Sequence, residues 1–222
     1  MTAFAAARHN MIESQVRPNG ITDRRIIAAM AQIAREDFVP SNRRSIAYVD
    51  GDVPLAPSDS ASGARHLIEA MAFARMLQQA GIKPADKVLV VGAGTGYGAA
   101  VIAALGFSVA ALECDRGLAE EARTNLKSLA NVKVIEGSLE AGAKADAPFD
   151  VIIVEGRVGE VPSTLLSQIA EGGRLVAVVG ETEMAKASVH TRSGTAIAVR
   201  QAFDASVAPL PGFVKKKPAF VF

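Results

Sequence analysis

A chain of 222 residues with 24 Lys and Arg against 23 Asp and Glu carries a formal net charge of +1, too little for a broad field that recruits nucleic acid or an anionic membrane. Its length suffices for one substantial core, so a single domain with an N-terminal elaboration is the economical organisation. One cysteine, Cys114, excludes an internal disulfide and suits a reducing compartment, and His9, His66 and His190 are too scattered to suggest a metal site.

In chain order, residues 4–16 pattern as an amphipathic helix stopped by Arg17-Pro18-Asn19-Gly20. The start holds no apolar run long enough for a signal peptide. Thr22 is placed to cap a second helix in which Ile26, Ile27, Met30 and Ile33 recur at helical spacing, and Phe38-Val39-Pro40 ends it. Residues 47–61, rich in Asp, Ser and Pro, join two well-patterned halves, which marks a functional loop rather than a linker. A helix over residues 64–80 follows, with Gly81 as its stop.

The stretch Val88-Leu89-Val90-Val91-Gly92-Ala93-Gly94-Thr95-Gly96-Tyr97-Gly98-Ala99 organises the rest. Its apolar, β-branched start reads as a strand buried on both faces, and the Ala-rich run after the glycines as a helix packed back on it. Glycines in the turn let a ligand approach the backbone, and the helix start offers unpaired N–H groups, so a nucleoside-bearing ligand suits the place. The dinucleotide fingerprint G-x-G-x-x-G fails from Gly92 and survives from Gly94 only in its Ala-ended form with Ala99. Residues 108–113 read as the next strand, ending in Glu113, an acid placed to accept hydrogen bonds from ribose hydroxyls. Beside Glu113, Cys114 is expected to have a raised thiol pKa and no nucleophilic role. The apolar stretch 99–112 is interrupted by Gly106 and Ser108 and is too short to span a bilayer.

Beyond it come a helix containing Leu118, Ala122 and Leu126, strands over 132–136, 149–154 and 173–179, and a helix opened by Pro162. Residues 189–203, with Ser193-Gly194 at the turn, pattern as an antiparallel hairpin. Lys215-Lys216-Lys217 near the C-terminus suits a solvated tail better than a phosphate clamp. The expected fold is α/β, a doubly wound, mostly parallel Rossmann-like sheet with an antiparallel edge hairpin and an N-terminal helical extension. Within one domain the expected parts are residues 1–62 (N-terminal helical extension and functional loop), 63–180 (ligand-binding α/β core) and 181–222 (hairpin and tail). The chain is expected to be soluble and cytoplasmic, with no nucleic-acid or membrane partner.

The G-x-G-x-G turn is similar to motif I of the class I S-adenosylmethionine-dependent methyltransferases. Further residues extend the likeness: Met11-Ile12-Glu13-Ser14-Gln15-Val16-Arg17, Gly20-Ile21 with Asp23, Arg35-Glu36-Asp37-Phe38-Val39-Pro40 and Ala47-Tyr48 with Asp50. With Lys83-Pro84, Ala147-Pro148-Phe149-Asp150, Gly172-Gly173-Arg174-Leu175-Val176 and Val207-Ala208-Pro209-Leu210, they resemble the protein-L-isoaspartate O-methyltransferase family over nearly the whole chain. The resemblance implies S-adenosyl-L-methionine as cofactor, held by Gly92, Ala93, Gly94, Thr95, Gly96, Tyr97, Glu113, Cys114, Gly137, Ser138 and Leu139. The acceptor would be a protein or peptide bearing isoaspartate. Oligomeric state is not implied.

The family's acceptor loop reads L-P-I-G-x-G-Q-T-I-S. Counted forward from Pro54, its serine falls on Ser62, the candidate catalytic residue; counted back from Lys83-Pro84 it falls on Ile68, with residues inserted in the loop. The family's motif I strand has an acid where this chain has Val90, its G-D-G becomes Gly137-Ser138-Leu139, and its T-A-A becomes Glu155-Gly156-Arg157. Tyr97 is placed either to cover the cofactor's methionyl end or to pack on the sheet; Arg157 either to hold an acceptor carboxylate or to pair with Glu155 or Glu160. Three readings remain beside isoaspartyl methylation: a homologue with weak or no cofactor binding, a methyltransferase for another carboxylate, and, remotely, a nicotinamide enzyme.

Overall fold

The protein is described by a computed structural model over residues 2–56, 63–105, 108–182 and 184–213. Seven strands form the main sheet: β3 (Lys87–Val91), β4 (Ser108–Glu113), β5 (Val132–Glu136), β6 (Phe149–Val158), β7 (Ile169–Val179), β8 (Ala185–Ser193) and β9 (Ala196–Ala205), in the order β5-β4-β3-β6-β7-β8-β9. The first five in that order pair in parallel, while β7-β8 and β8-β9 are antiparallel. The expected mostly parallel sheet with a closing hairpin is present. Strand order reverses between β3 and β6, so the crevice beside the carboxyl end of β3 is the usual place for a ligand in such a sheet.

Strand β3 shows why both faces are covered. Val88 and Val90 join the core built with helices α2 (Arg24–Gln32), α3 (Ala70–Ala80), α4 (Tyr97–Ala104) and α5 (Arg116–Leu126). Leu89 and Val91 point the other way, into a core with Leu139, Phe149, Leu165 and Leu210. The period of two thus serves two layers, and apolarity without alternation is its sequence mark.

The N-terminal extension differs in detail from the sequence expectation. Helix α1 spans Ala3–Met11, capped by Thr2, and passes into a π turn (Ile12–Val16) and a 3₁₀ turn (Arg17–Asn19) that ends at Gly20 in the left-handed region, φ 76°. Asp23, not Thr22, caps α2: its carboxylate accepts from the Arg25 amide at 2.9 Å, while the Thr22 amide goes to Gln78 Oε1 at 2.7 Å. A charged acceptor at the helix start also answers the dipole, which favours Asp over Thr.

The larger correction concerns residues 64–80. The helix begins only at Ala70, and Arg65–Leu67 forms strand β2, paired antiparallel with β1 (Val53–Ala56), Val53 opposite Leu67 and Pro54 opposite His66. Arg65 and Leu67 are buried and His66 is partly exposed, a period-two pattern too short to compete with the helical signal that follows. Strand β6 also runs past 154, with a register shift between Ile153 and Arg157, and such a bulge re-aims the side chains within it.

Candidate functional site

Between β3 and α4 the chain turns through Gly92 (φ 81°), Gly94 (φ 56°) and Gly96 (φ 100°), all in the region where a Cβ is penalised. The turn is tied to β4: the Gly92 and Ala93 amides both donate to the Leu112 carbonyl, at 2.9 and 3.0 Å, and the Gly94 amide donates to Glu113 Oε2 at 2.7 Å. Thr95 donates its hydroxyl to the Phe38 carbonyl, and its own carbonyl accepts from Asn125 Nδ2 at 3.0 Å. A buried strand, a glycine turn at a helix N-terminus and an acid at the tip of the next strand define the nucleoside-binding class of α/β proteins.

The comparisons narrow that class. Residues 6–212 match the family described as Protein-L-isoaspartate(D-aspartate) O-methyltransferase. A protein-L-isoaspartate O-methyltransferase of Koribacter versatilis is 39% identical over 221 residues, 99% of this chain and 97% of that protein. The fold agrees with a solved protein-L-isoaspartate O-methyltransferase at a TM-score of 0.79 and 24% identity, covering 92% of this chain and 66% of that one. It also agrees with a Plasmodium falciparum protein described under the same activity in complex with S-adenosyl-L-homocysteine, at a TM-score of 0.74 and 21% identity, covering 95% and 99% of the two chains. This chain belongs to the protein-L-isoaspartate O-methyltransferase family.

Glu113 is 0% exposed and its carboxylate is fully engaged. Oε1 accepts from the Cys114 amide (2.9 Å), the Asp115 amide (3.0 Å), Arg65 Nε (3.3 Å) and the Cys114 thiol (3.4 Å), and Oε2 accepts from Arg65 Nη2 (2.5 Å) and the Gly94 amide (2.7 Å). A carboxylate has about four lone-pair sites, so none is left for two ribose hydroxyls. Arg65 is itself 1% exposed. Burial, and after it Glu113, pushes the Cys114 thiol up to about 11, as expected of a non-nucleophilic cysteine.

Apolar side chains cover the rest of the turn, and every residue from 91 to 100 is buried. A Cβ on Gly94 would fall 2.7 Å from Leu55 Cδ1, and one on Gly92 would fall 2.8 Å from Leu210 Cδ2 and 3.5 Å from Arg65 Nη2. The close approach that the glycines permit is therefore taken by β1, β2 and the segment carrying Leu210. The Gly137 amide donates to the Glu113 carbonyl at 3.0 Å, Ser138 is exposed, and Leu139 is buried in the second core. Val90 is 0% exposed.

On the neighbouring strand the bulge turns Glu155 inward, against Gly98 of α4. Burial pushes its carboxyl up to about 8; Arg35 and Arg65 act against the rise and Glu113 adds to it. Glu155 Oε1, the Tyr97 hydroxyl and Arg35 Nη1 are buried without hydrogen-bond partners among the described residues. Tyr97 packs at 5.7 Å from the Phe38 ring and 5.9 Å from the Phe73 ring, with the Arg35 guanidinium 4.9 Å over its face. Arg157 meets neither Glu155 nor Glu160; it donates to the Val207 and Gly180 carbonyls, each at 3.3 Å.

Ser62 lies outside the described residues. Strand β1 ends at Ala56 and β2 begins at Arg65; in the count back from Lys83-Pro84, Arg65-His66-Leu67-Ile68 stand against the family's Q-T-I-S. Arg65, Leu55, Leu210 and Arg35 are the site residues that sequence reasoning missed; the second register, carried three positions back from Ile68, points at Arg65. The residues as arranged do not fit S-adenosyl-L-methionine, because the carboxylate for its ribose and the space over the glycine turn are both taken.

Proposed function

We propose that this chain is an S-adenosyl-L-methionine-dependent carboxyl O-methyltransferase of the isoaspartyl-repair type, esterifying isoaspartyl sites in damaged proteins of the cytoplasm. The match over residues 6–212, which contains the glycine turn and Glu113, carries the reading. The residue chemistry supports it. An Asp-type carboxylate is already ionised at neutral pH, so its methylation needs placement and a dry site rather than a general base. No group of three or more His, Cys, Asp or Glu among the described residues could hold a metal ion, and burial lowers the pKa of His66 and His190; His190 Nε2 meets the Ser188 hydroxyl at 3.1 Å on β8, away from the glycine turn. No helix among them is long and apolar enough to cross a membrane.

The test is transfer of labelled methyl to an isoaspartyl peptide and to its Asp counterpart. Turnover of the isoaspartyl form alone is expected. Folded protein that turns over neither peptide ends the reading. A second reading, a homologue with weak cofactor binding, is favoured by the Arg65–Glu113 pair.

A further inference from the structure

We propose that Arg65, with Leu55 and Leu210, is an internal occupant of the nucleoside crevice: the guanidinium stands where ribose hydroxyls would bind Glu113, and the two leucines stand over the glycine turn, so the cofactor binds only after the β1-β2 hairpin withdraws. The proposal rests on the cofactor reading given above.

Three observations converge on it. Arg65 meets Glu113 through two nitrogens, Nη2 at 2.5 Å and Nε at 3.3 Å, with both side chains at 1% exposure or less. A planar, two-pronged donor is the shape that imitates a vicinal diol toward one carboxylate. Leu55 lies on β1 and Arg65 on its antiparallel partner β2, so one hairpin delivers both the polar and the apolar stopper. Leu210 reaches the same turn from the far end of the chain, against Gly92 and Gly156, and its segment is tied to the hairpin because Asp52 accepts from both the Glu69 amide (2.7 Å) and the Ala208 amide (2.5 Å). Hairpin and Leu210 segment are therefore coupled through one carboxylate.

The closed form is held by interactions that the cofactor must replace. Apparent affinity is then the intrinsic affinity reduced by the fraction of molecules that are open. Arg65→Met keeps the stem that packs in the hairpin and leaves Glu113 with the Gly94, Cys114 and Asp115 amides, so the acid is not stranded. Arg65→Lys keeps the charge but not the fork. Leu55→Ala opens the apolar side and leaves the ion pair untouched.

The experiment is calorimetric titration of the full chain and these variants with S-adenosylhomocysteine, with hydrogen exchange followed in segments 53–56, 65–67 and 92–96. Arg65→Met is expected to bind at least about tenfold more tightly than the natural protein, Leu55→Ala several-fold more tightly, and Arg65→Lys in between. Ligand should slow exchange at 92–96 while speeding it at 53–56 and 65–67. Equal, measurable affinity in all four proteins, or ligand that slows exchange in the hairpin as well, overturns the internal occupant and leaves the methyltransferase reading standing. Absence of binding in every one of the four, each folded by circular dichroism, overturns both.

Discussion

Arg35 and Arg65 are equally buried, each 1% exposed, and differ in what answers their charge. Arg35 donates from Nε to the Ala47 carbonyl at 2.8 Å and from Nη2 to the Ile68 carbonyl at 2.7 Å, and lies over the Tyr97 ring. Its partners are main-chain groups and an aromatic face, which no ligand supplies, so it works as a rivet between the N-terminal extension and the core. Burial lowers the Arg35 pKa, with Tyr97, Asp52 and Glu155 opposing. Arg65 instead meets a carboxylate at the tip of β4, the group a nucleoside would want. The same side chain in the same degree of burial thus fixes structure in one place and competes with a ligand in the other, and the identity of the acceptor tells the two apart.

Substitution at Glu113 should break this contrast most forcefully. Glu113→Ala strands the Arg65 guanidinium in the crevice, a change that costs about 3–5 kcal/mol when a buried pair loses one member, or roughly 10 °C in melting temperature for a chain of this size. Thermal unfolding followed by circular dichroism measures it. A loss under about 1 kcal/mol would show that Arg65 swings into water at little cost, and the two arginines would then differ in mobility more than in partner. Arg35→Met comes next. It removes two charge-assisted bonds to buried carbonyls while keeping the apolar stem, for an expected loss of about 2–4 kcal/mol, accompanied by faster hydrogen exchange in the α1 and α2 segments. Equal exchange there would mean that the extension is held by its apolar contacts alone.

Glu155 sharpens the comparison through pH, because it lies between the two arginines and is bonded to neither. Its carboxyl is raised from 4.5 to about 8, chiefly by burial. The folded state therefore holds a proton that the unfolded state releases between about pH 4.5 and pH 8, so stability attributable to this group is complete below that window and declines as pH rises through it. The decline is on the order of a few kcal/mol, and Glu155→Gln should flatten the melting-temperature profile from about pH 6 to pH 9 relative to the natural chain. Parallel profiles for the two proteins would show that Arg35 or Arg65 keeps the carboxylate ionised.

Local signals were legible in the sequence and distant ones were not. The β3 run, the glycine turn and Glu113 lie within 26 residues of one another and announce themselves by composition and order. The sheet followed from the alternation of apolar runs with helical patterns. Arg65 was hidden twice over: its strand is three residues long inside a stretch that reads as helix, and its partner is 48 positions away. Glu155 was visible as a departure from the family, yet its inward turn depends on a bulge and on the absence of a Cβ at Gly98. Asp150, second in β6, accepts from the Lys87 amide at the start of β3 at 2.8 Å, a contact across 63 positions that no local pattern announces.

The smallest expected effect lies at the polar clamp of the extension, where water shares the work. Tyr48 donates its hydroxyl to Glu36 Oε2 and accepts from Arg8 Nε at 2.9 Å, while Arg8 Nη2 reaches Glu36 Oε1 directly at 3.1 Å. Burial, the leading cause, pushes the Tyr48 hydroxyl up to about 12, so it remains a donor throughout the neutral range. Tyr48→Phe removes the hydroxyl and keeps the ring. Arg8 and Glu36 retain their direct contact, and with side chains 17% and 9% exposed they can recruit solvent for what is lost. The expected cost is about 1 kcal/mol, that of one net hydrogen bond. A cost as large as that of Glu113→Ala would place this clamp among the sealed, ligand-independent contacts with Arg35, and exposure would no longer explain why the two clusters differ.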